Sequence, residues 1–385
     1  KIRRRMSRGK VGDEMSTYLS YTRQASNFVF PTVGILNGED RPRPGKFRIK
    51  EDDAAVIDEG KDQDKTKELK NSKKEVQDYI KAIKDYINGF IEYLKELHRK
   101  DKDKKHTLQD DVKVFFEKYN GSFTDFQKSI EGKSSLFNVL YDCSPKFINV
   151  IFNILKSPGP VLVYSNYVAM EGLQIFKIYL NFFGFIAFNE DKEFNMKNID
   201  KKQPKDGFRF MEFHGGIEKE QREVNKQTFN LSENKFGKIM KIILISPAGT
   251  EGINLRNTRQ VHIVEPYWNE VRIEQIIGRA IRICSHKDIP MDERKVDVFR
   301  YKIIRSNGKE TTDEKMESIA RKKNNLLISF TEAVKEASVD CELFKSHNMM
   351  GTKYKCFKFN ENSLFDNPVG PAYASKVDYD KKMDD

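Results

Sequence analysis

The stretch KIILISPAGTEGINLRNTRQVHIVEP, Lys241–Pro266, contains two apolar runs separated by a polar segment with two glycines. Each apolar run has the length and the β-branched composition of a buried strand. In the segment between them, backbone N–H groups are available to face a phosphate or a ribose. The stretch therefore predicts a strand that ends in a ligand-facing loop, followed by a second strand.

Strand-like and helix-like runs alternate on both sides of this stretch. The strand-like runs are PVLVYSN, FRFMEFHGG and KVDVFRYKII, and the helix-like runs are SPKFINVIFNIL, VAMEGLQIFKIYLNF and EKEQREVNKQTFN. The first helix is expected to have Ser144 as its N-cap and Pro145 in its first turn. This alternation is typical of an α/β fold with a parallel sheet and crossover helices on both faces. Apolar periodicity also predicts a long helix over residues 76–97 and one long polar helix over Thr311–Cys341.

Polar residues and glycines follow four of the predicted strands. They are Ser165 and Asn166, His214–Gly216, Ser246–Gly252, and Pro266–Asn269. Because parallel α/β sheets bind ligands at the carboxyl ends of their strands, we expect these segments to converge on one edge. Four such segments together predict a site for a ligand that carries phosphates.

The stretch VEPYWNEVRIEQIIGRAIRICSH, Val264–His286, places polar side chains at helical spacing. Three or four residues separate the successive members of the set Arg272, Gln275, Arg279 and Arg282. We expect one helix with this set on one face and Ile273, Ile276, Ile277, Ala280 and Ile281 on the packed side. Arginine binds phosphoryl oxygens with two nitrogens, and Gly278 indicates a close approach of the backbone to another group. A helix with solvated arginines has the same pattern, so the interpretation depends on the neighbouring loops.

The composition indicates the class of partner. The 385 residues, 38% of them hydrophobic, suffice for one α/β domain and smaller units. Lys and Arg number 69 against 58 Asp and Glu, a net charge of +11, which favours a partner with phosphates. No apolar run approaches the roughly 18 residues of a membrane span, so no membrane partner is expected.

The four cysteines show no C-x-x-C pairing. Neither a zinc ligand set nor a disulfide framework is therefore expected, and no metal site is assigned to this chain. We expect a reducing, intracellular compartment, in which Cys341 is a packing thiol.

Three groups of motifs in this chain each resemble a known group of proteins. FHGG, EQR, ISPAGTEGINL and QIIGRAIR, in this order, resemble the second RecA-like domain of superfamily 2 helicases and translocases. The stretch EPYWNEVRIEQIIGRAIRICSH is similar to the chromatin-remodelling ATPase branch. TRQASNFVFP, CSPKF, VYSN, QIIGRAIR and EASVDCEL resemble the helicase-like ATPases of large nucleocytoplasmic DNA viruses, the group of poxvirus-type nucleoside triphosphatase I and early transcription factor small subunit. The resemblance covers Leu136–Tyr301, extends to Tyr18–Pro31 and Thr311–Cys341, and hardly includes Thr32–Ile130.

The resemblance implies roles for the polar residues of this chain. Arg279 and Arg282 would be fingers that reach ATP held by a partner domain, and Gln275 would couple that site to the nucleic acid. The implied ATP-binding residues are Glu251, Gly252 and Asn254. The implied contacts of the nucleic-acid backbone are Ser165, Asn166, His214, Gly215 and Ser246. Gly249-Thr250-Glu251 stands where remodellers have G-G-L, which favours the viral group.

The sequence contains no G-x-x-x-x-G-K-[ST] phosphate loop, and no Asp-Glu pair follows an apolar strand. We therefore expect ATP and Mg²⁺ to be held mainly by an N-terminal RecA-like domain that this chain lacks, and this chain alone to hydrolyse no ATP. The predicted regions are a basic arm and connection from that domain at 1–64, a helical insertion at 65–135, the C-terminal RecA-like helicase domain at 136–310, and a bracing helix with an irregular tail at 311–385.

Three functions remain open from the sequence. The first is the C-terminal part of an ATP-dependent helicase or translocase, of viral origin by resemblance. The second is a DNA-dependent ATPase that translocates without unwinding during viral transcription initiation or termination. The third is a catalytically inactive RecA-like scaffold. The implied partners are nucleic acid, DNA in preference to RNA, the protein's own N-terminal RecA-like domain, and a viral RNA polymerase, in the host cytoplasm or the virion.

Overall fold

The computed structural model describes residues 20–29, 31, 69–101, 107–128, 135–169, 171–199, 201–249, 253–344 and 356. These residues form two compact units. The first contains those up to Tyr267 together with Arg272–Glu317, and the second contains Trp268–Val271 together with those from Ser318 onward. The sheet lies in the first unit.

Six helices precede the first strand among these residues. They are α1 (Ser20–Ala25), α2 (Leu69–Asp101), α3 (Leu108–Glu117), α4 (Phe123–Lys128), α5 (Ser135–Cys143) and α6 (Pro145–Lys156). The long helix predicted over residues 76–97 is confirmed as part of α2. The start of α6 is also confirmed, because the Ser144 hydroxyl accepts the Phe147 backbone N–H and Pro145 lies in the first turn. The serine hydroxyl satisfies a backbone N–H that has no partner within the helix. Proline has no backbone N–H, so no hydrogen bond is lost at its position in the first turn.

In the rest of the described residues, strands are interspersed with helices. They are β1 (Val161–Tyr164), α7 (Leu173–Phe182), β2 (Ile186–Ala187), β3 (Arg209–Phe213), α8 (Lys219–Phe229), β4 (Ile242–Ile245), β5 (Gln260–Ile263), α9 (Glu270–Ala280), β6 (Asp297–Arg300), α10 (Thr312–Glu336) and α11 (Val339–Leu343). The sheet has six strands in the order β2-β3-β4-β1-β5-β6. All five pairings are parallel. The α/β fold with a RecA-like parallel sheet, preceded by helices and followed by a helical extension, is confirmed.

The strand order places a crevice between β1 and β5. The chain leaves β1 toward β2 on one side of the sheet and leaves β5 toward β6 on the other. Connections that depart in opposite directions open a crevice at the carboxyl ends of the two strands, where α/β sheets bind ligands. The segments after β1 and β5 therefore face each other across this crevice.

Both faces of the sheet are buried at the central strands β1, β4 and β5, which explains their continuous apolar runs. In β1, Val161 and Val163 pack into one apolar cluster, and Leu162 and Tyr164 pack into the other. Successive side chains of a strand point to opposite faces, so a sheet covered on both sides needs apolar residues at every position. Phe28 joins the first cluster, with its ring centroid 5.5 Å from that of Phe90.

Three sequence-based predictions of local structure were wrong. The short strand β2 was not predicted, because two residues are too few to show a periodicity. The single helix expected over Thr311–Cys341 is divided into α10 and α11, since Ser338 has an extended backbone. A disulfide joins Cys341 to Cys356, where a packing thiol was expected. The distance of fifteen residues between these cysteines matches no sequence motif that reveals a pair.

The arginine helix is also shorter than predicted. It ends at Ala280, and carbonyl oxygens of its last turn accept hydrogen bonds from side chains beyond the helix. Arg282 Nε donates to the oxygen of Gly278 over 3.2 Å, and Ser285 Oγ donates to that of Ala280 over 3.3 Å. Such bonds satisfy carbonyls that a helix end leaves unpaired. Arg282 therefore lies beyond the helix, and Ile281, expected on the packed side, is 50% exposed.

Candidate functional site

A buried carboxylate lies between the ends of β1 and β5. Glu265 accepts a hydrogen bond from Ser165 Oγ over 2.6 Å and from the Asn166 backbone N–H over 2.9 Å. Asn166 Nδ2 donates to the same carboxylate over 3.3 Å, and Asn27 Nδ2 donates to its other oxygen. Burial raises the pKa of Glu265, although these hydrogen bonds and the nearby Lys146 ammonium favour its charged form.

The network extends from Glu265 into the protein interior. Lys146 Nζ donates to Asn27 Oδ1 over 3.1 Å and forms an ion pair of 2.8 Å with Asp313, and both charged side chains are almost fully buried. Asp313 also accepts the Ile303 backbone N–H over 3.0 Å. The sequence did not identify these residues as a group, because more than a hundred positions separate Asn27 from Lys146 and from Glu265. The lysine at a buried position of α6 was the available signal.

Ser165 and Asn166 occupy the expected edge of the sheet but are held differently from each other. Ser165 is buried, with its hydroxyl on Glu265, so its side chain does not face solvent. Asn166 is partly exposed, and its amide oxygen accepts the Tyr164 hydroxyl over 2.9 Å. One hydrogen of the Asn166 amide is directed at Glu265, which leaves the second for an outside acceptor.

His214 follows β3 and is buried as well. Its Nδ1 accepts the Gly216 backbone N–H over 3.2 Å, so the proton of the neutral ring lies on Nε2, 3.0 Å from Glu212. Burial would raise the pKa of Glu212, but His214 and Lys177 outweigh it and hold the pKa below its ordinary value. The ring is thus fixed by its neighbours, while Gly215 presents exposed backbone to solvent.

The loop after β4 lies against the end of β3. Ser246 is buried, and a Cβ added to Gly249 would lie 2.1 Å from the backbone oxygen of Phe213, so only glycine fits without a shift. Glu251 and Gly252, both expected at the nucleotide, lie outside the described residues. Asn254 is exposed, and Asn230 Nδ2 holds its backbone oxygen over 2.8 Å.

The polar face of α9 consists of residues in different environments. Arg272 donates to the Tyr267 hydroxyl over 3.0 Å, so its guanidinium is engaged within the first unit. Gln275 is exposed. Arg279 is partly exposed, and its Nε has no hydrogen-bond partner in the described part of the chain. A Cβ on Gly278 would meet none of the described atoms within 4 Å, so the close backbone approach expected there does not come from this part of the chain.

The described residues hold no group of three or more His, Cys, Asp or Glu side chains that could bind a metal ion. None of the helices in the described ranges is long and apolar enough to cross a membrane.

Comparisons with known proteins match this chain to helicases. Residues 146–284 match the family model for the helicase conserved C-terminal domain. A protein of Acanthamoeba polyphaga mimivirus, named as an ATP-dependent RNA helicase, is 43% identical over 97% of this chain, which spans 45% of that protein's length. A termination factor NPH-I homolog of African swine fever virus is 30% identical over 61% of this chain and 38% of its own length.

A solved structure, the C-terminal part of the Fun30 ATPase domain, is 17% identical, with 54% of this chain and 53% of that chain covered and a TM-score of 0.30. The strand order, not this low score, defines the fold. From the family match and the viral relatives together, the chain contains a helicase conserved C-terminal domain with a RecA-like sheet and is similar to viral helicase-like proteins that include an NPH-I termination factor homolog.

Proposed function

We propose that this chain is the C-terminal part of an ATP-dependent nucleic-acid helicase or translocase, in which Arg279 acts as an arginine finger. The supporting observation is the buried Arg279 Nε, which has no hydrogen-bond partner among the described residues although Ile276 and Ala280 of the same helix are packed in the core. A buried donor without an acceptor costs free energy, about 1–3 kcal/mol for a typical group, and a phosphoryl oxygen would satisfy it. Arg282, held beside the same helix end, is proposed as the second finger.

One proposed nucleotide contact, Asn254, belongs to a loop that is hydrogen-bonded to the backbone of Arg279. Leu255 donates its backbone N–H to the Arg279 carbonyl oxygen over 3.0 Å, which places Asn254 in the loop beside the end of α9. Glu251 and Gly252 precede Asn254 in the same loop and are proposed to approach the nucleotide with it. Gln275, one helical turn before Arg279, is proposed to couple this site to the nucleic acid.

The phosphates themselves are proposed to be held by another domain. This sequence has no phosphate-loop motif, and its described residues include no cluster of three or more His, Cys, Asp or Glu side chains that could hold a metal ion. We therefore propose that ATP and Mg²⁺ are held mainly by an N-terminal RecA-like domain of the full-length protein. Residues 136–310 would be the second RecA-like domain, joined to the first through 1–64, with a helical insertion at 65–135 and a brace at 311–385.

Closure of the cleft between the two RecA-like domains would bring the Arg279 guanidinium to the transferring phosphoryl group. The positive charge there is useful only when the cleft is closed, because that is when charge develops on the phosphoryl oxygens. Closing and reopening would then move the two domains along a strand. This chain would supply the positive charge that stabilises the phosphoryl oxygens and one of the two surfaces that contact the nucleic acid.

The nucleic-acid backbone is proposed to contact the edge formed by the ends of β1, β3 and β4. Asn166 is partly exposed there and the backbone of Gly215 is exposed, so we propose these two as the direct contacts. Ser165, His214 and Ser246 are buried, so we propose that they shape these loops from beneath. The net charge of +11 supports a phosphate-bearing partner, for which we propose DNA in preference to RNA.

Replacement of Arg279 tests the proposal. In the full-length protein, Arg279→Ala is expected to lower kcat for nucleic-acid-stimulated ATP hydrolysis by about 10³–10⁵-fold, the range known for arginine fingers. Arg305→Ala removes an exposed arginine after β6 and should leave kcat within about twofold of wild type. Unchanged stimulated hydrolysis in Arg279→Ala would overturn the proposal.

A DNA-dependent ATPase that translocates without unwinding is the second candidate, with a viral RNA polymerase as its partner. The similarity to a termination factor homolog favours it. A strand-displacement assay beside the ATPase assay separates the two candidates, since only a helicase releases the displaced strand. Wild-type protein without stimulated ATP hydrolysis would instead indicate an inactive RecA-like scaffold.

A further inference from the structure

We propose that Glu265 is a positioning residue for the nucleic-acid contact at Asn166, and that the segment around α1 holds Glu265 in place. The inference rests on the proposed function, because it assigns Asn166 the contact described there. Glu265 itself touches no outside ligand, since it is buried at the end of β5. It acts by fixing how Asn166 presents its amide at the carboxyl edge of the sheet.

Glu265 determines the conformation of Asn166 through two hydrogen bonds. One carboxylate oxygen accepts both the backbone N–H and the side-chain Nδ2 of Asn166. The Tyr164 hydroxyl holds the amide oxygen of the same side chain from the other side. With its oxygen and one amide hydrogen engaged, Asn166 can direct its second hydrogen outward in one orientation only. A preorganised donor of this kind binds a phosphate oxygen without a further loss of side-chain entropy.

Asn27, just after α1, also holds the Glu265 carboxylate. Asn27 donates to Glu265 and accepts from Lys146, so one amide bridges a buried anion and a buried cation. Arg23, four residues earlier, is buried, with its guanidinium carbon 5.4 Å from the Tyr167 ring centroid and 6.0 Å from that of Tyr267. One of these tyrosines follows β1 and the other follows β5. The segment 23–27 therefore contacts both sides of the crevice and fixes their separation.

The Glu265→Gln substitution separates positioning from packing. The two side chains have nearly the same shape, but an amide has only one acceptor oxygen where the carboxylate has two. The carboxylate accepts four hydrogen bonds, so either orientation of the glutamine amide places its NH₂ group against a donor. In one orientation of the glutamine amide, the Asn166 side chain loses its hydrogen bond and its fixed orientation. In the other, the hydrogen bond from Asn27 is lost.

The experiment is a double-mutant cycle in the full-length protein with Asn166→Ala, Glu265→Gln and the double variant. The measurements are KM for single-stranded DNA and kcat at saturating DNA. We expect each single variant to raise KM about tenfold, equivalent to one lost hydrogen bond, with kcat within about threefold of wild type. Because Glu265 acts through Asn166, the double variant should have the KM of the single variants.

Each other outcome contradicts a specific statement. Additive effects, or a normal KM in Glu265→Gln beside a raised KM in Asn166→Ala, would overturn the positioning role. A normal KM in Asn166→Ala itself would overturn the proposed nucleic-acid contact. A lower kcat at unchanged KM, together with a lower melting temperature, would indicate that Glu265 only supports folding. Glu265→Asp keeps both acceptors and should recover part of the lost affinity if the donors of Asn166 follow the shorter side chain.

Discussion

The backbone N–H of Leu255 donates to the carbonyl oxygen of Arg279 over 3.0 Å, and this bond joins the loop after β4 to the end of the arginine helix. Asn230, just beyond α8, holds the same loop from the other side. Its amide donates to the Asn254 oxygen over 2.8 Å and accepts the Arg256 N–H over 2.7 Å. The Arg279 backbone is thus tied to a loop that Asn230 secures.

Asn230→Ala should therefore lower ATP hydrolysis without a direct contact to the nucleotide. We expect kcat of the full-length protein to fall about tenfold, because misplacement of a catalytic group by a fraction of an ångström weakens its transition-state contact. Gln227→Ala, which removes an exposed side chain of the same helix, is the control and should have normal kcat. A normal kcat in Asn230→Ala would show that the loop keeps its position without this anchor.

Lys146→Met should strongly destabilise the fold. It leaves the Asp313 carboxylate buried without its cation, and removal of one partner from a buried ion pair costs about 3–5 kcal/mol in the free energy of unfolding. Lys156→Met, at an exposed position on the same helix, should change that free energy by less than about 1 kcal/mol. Urea unfolding of this chain measures both values.

A second substitution can relieve the same cost. In Lys146→Met with Asp313→Leu, no charge remains unpaired, and we expect part of the lost stability to return. If the double variant is as unstable as Lys146→Met, the hydrogen bonds of Asp313 to the Ile303 backbone, and not its charge, account for the loss.

Two glycines of the site should respond oppositely to alanine. Gly249→Ala brings a methyl group within 2.1 Å of a backbone oxygen and should destabilise the protein by about 1–3 kcal/mol. Gly278→Ala meets open space in a helix and should stabilise it by up to about 1 kcal/mol. Melting temperatures of the two variants decide this, and shifts in the same direction would contradict the structure around one of the glycines.

Gly278→Ala also tests the site. If the nucleotide approaches α9 at Gly278, next to the proposed arginine finger Arg279, the added methyl group should lower kcat of the full-length protein while the domain itself becomes more stable. Normal kcat would place the nucleotide away from Gly278.

Acid should destabilise the fold through His262. This ring is fully buried, and burial lowers its pKa to about 3, so the native state keeps it neutral. Its Nδ1 accepts the Tyr301 hydroxyl over 2.8 Å, and its Nε2 donates to Gln260 over 3.0 Å. Unfolding below about pH 6.5 therefore takes up a proton, and stability should fall as the pH decreases from 6.5 toward 3, by up to about 1.4 kcal/mol per pH unit.

His262→Gln removes this proton uptake. The free energy of unfolding of that variant should depend less on pH between 6.5 and about 4 than that of wild type, even if the variant is less stable at neutral pH. Equal pH dependence in the two proteins would show that other groups dominate acid unfolding.

The apolar runs predicted five of the six strands and most of the helices, because strand and helix periodicities are local properties of the chain. Helix ends were less predictable. At the end of α9, Leu255 and Ser285 donate hydrogen bonds to the last carbonyl oxygens. Both residues lie outside the helix, so the helix sequence alone does not reveal where it ends. Arg282 therefore continues the helical spacing of the sequence pattern, but it lies beyond the end of the helix that carries Arg279.

The sequence by itself determined the α/β alternation, the polar ends of the strands and the family motifs, since each depends on residues that are close along the chain. Only the tertiary structure decided which of those polar residues face outward. Ser165 and Ser246 have the same place in the sequence pattern as Asn166 and Gly215, yet they are buried. Glu265 is hydrogen-bonded to Asn27 and Asn166, which belong to distant segments of the chain. Such contacts depend on the order of the strands in the sheet, and local sequence patterns do not reveal that order.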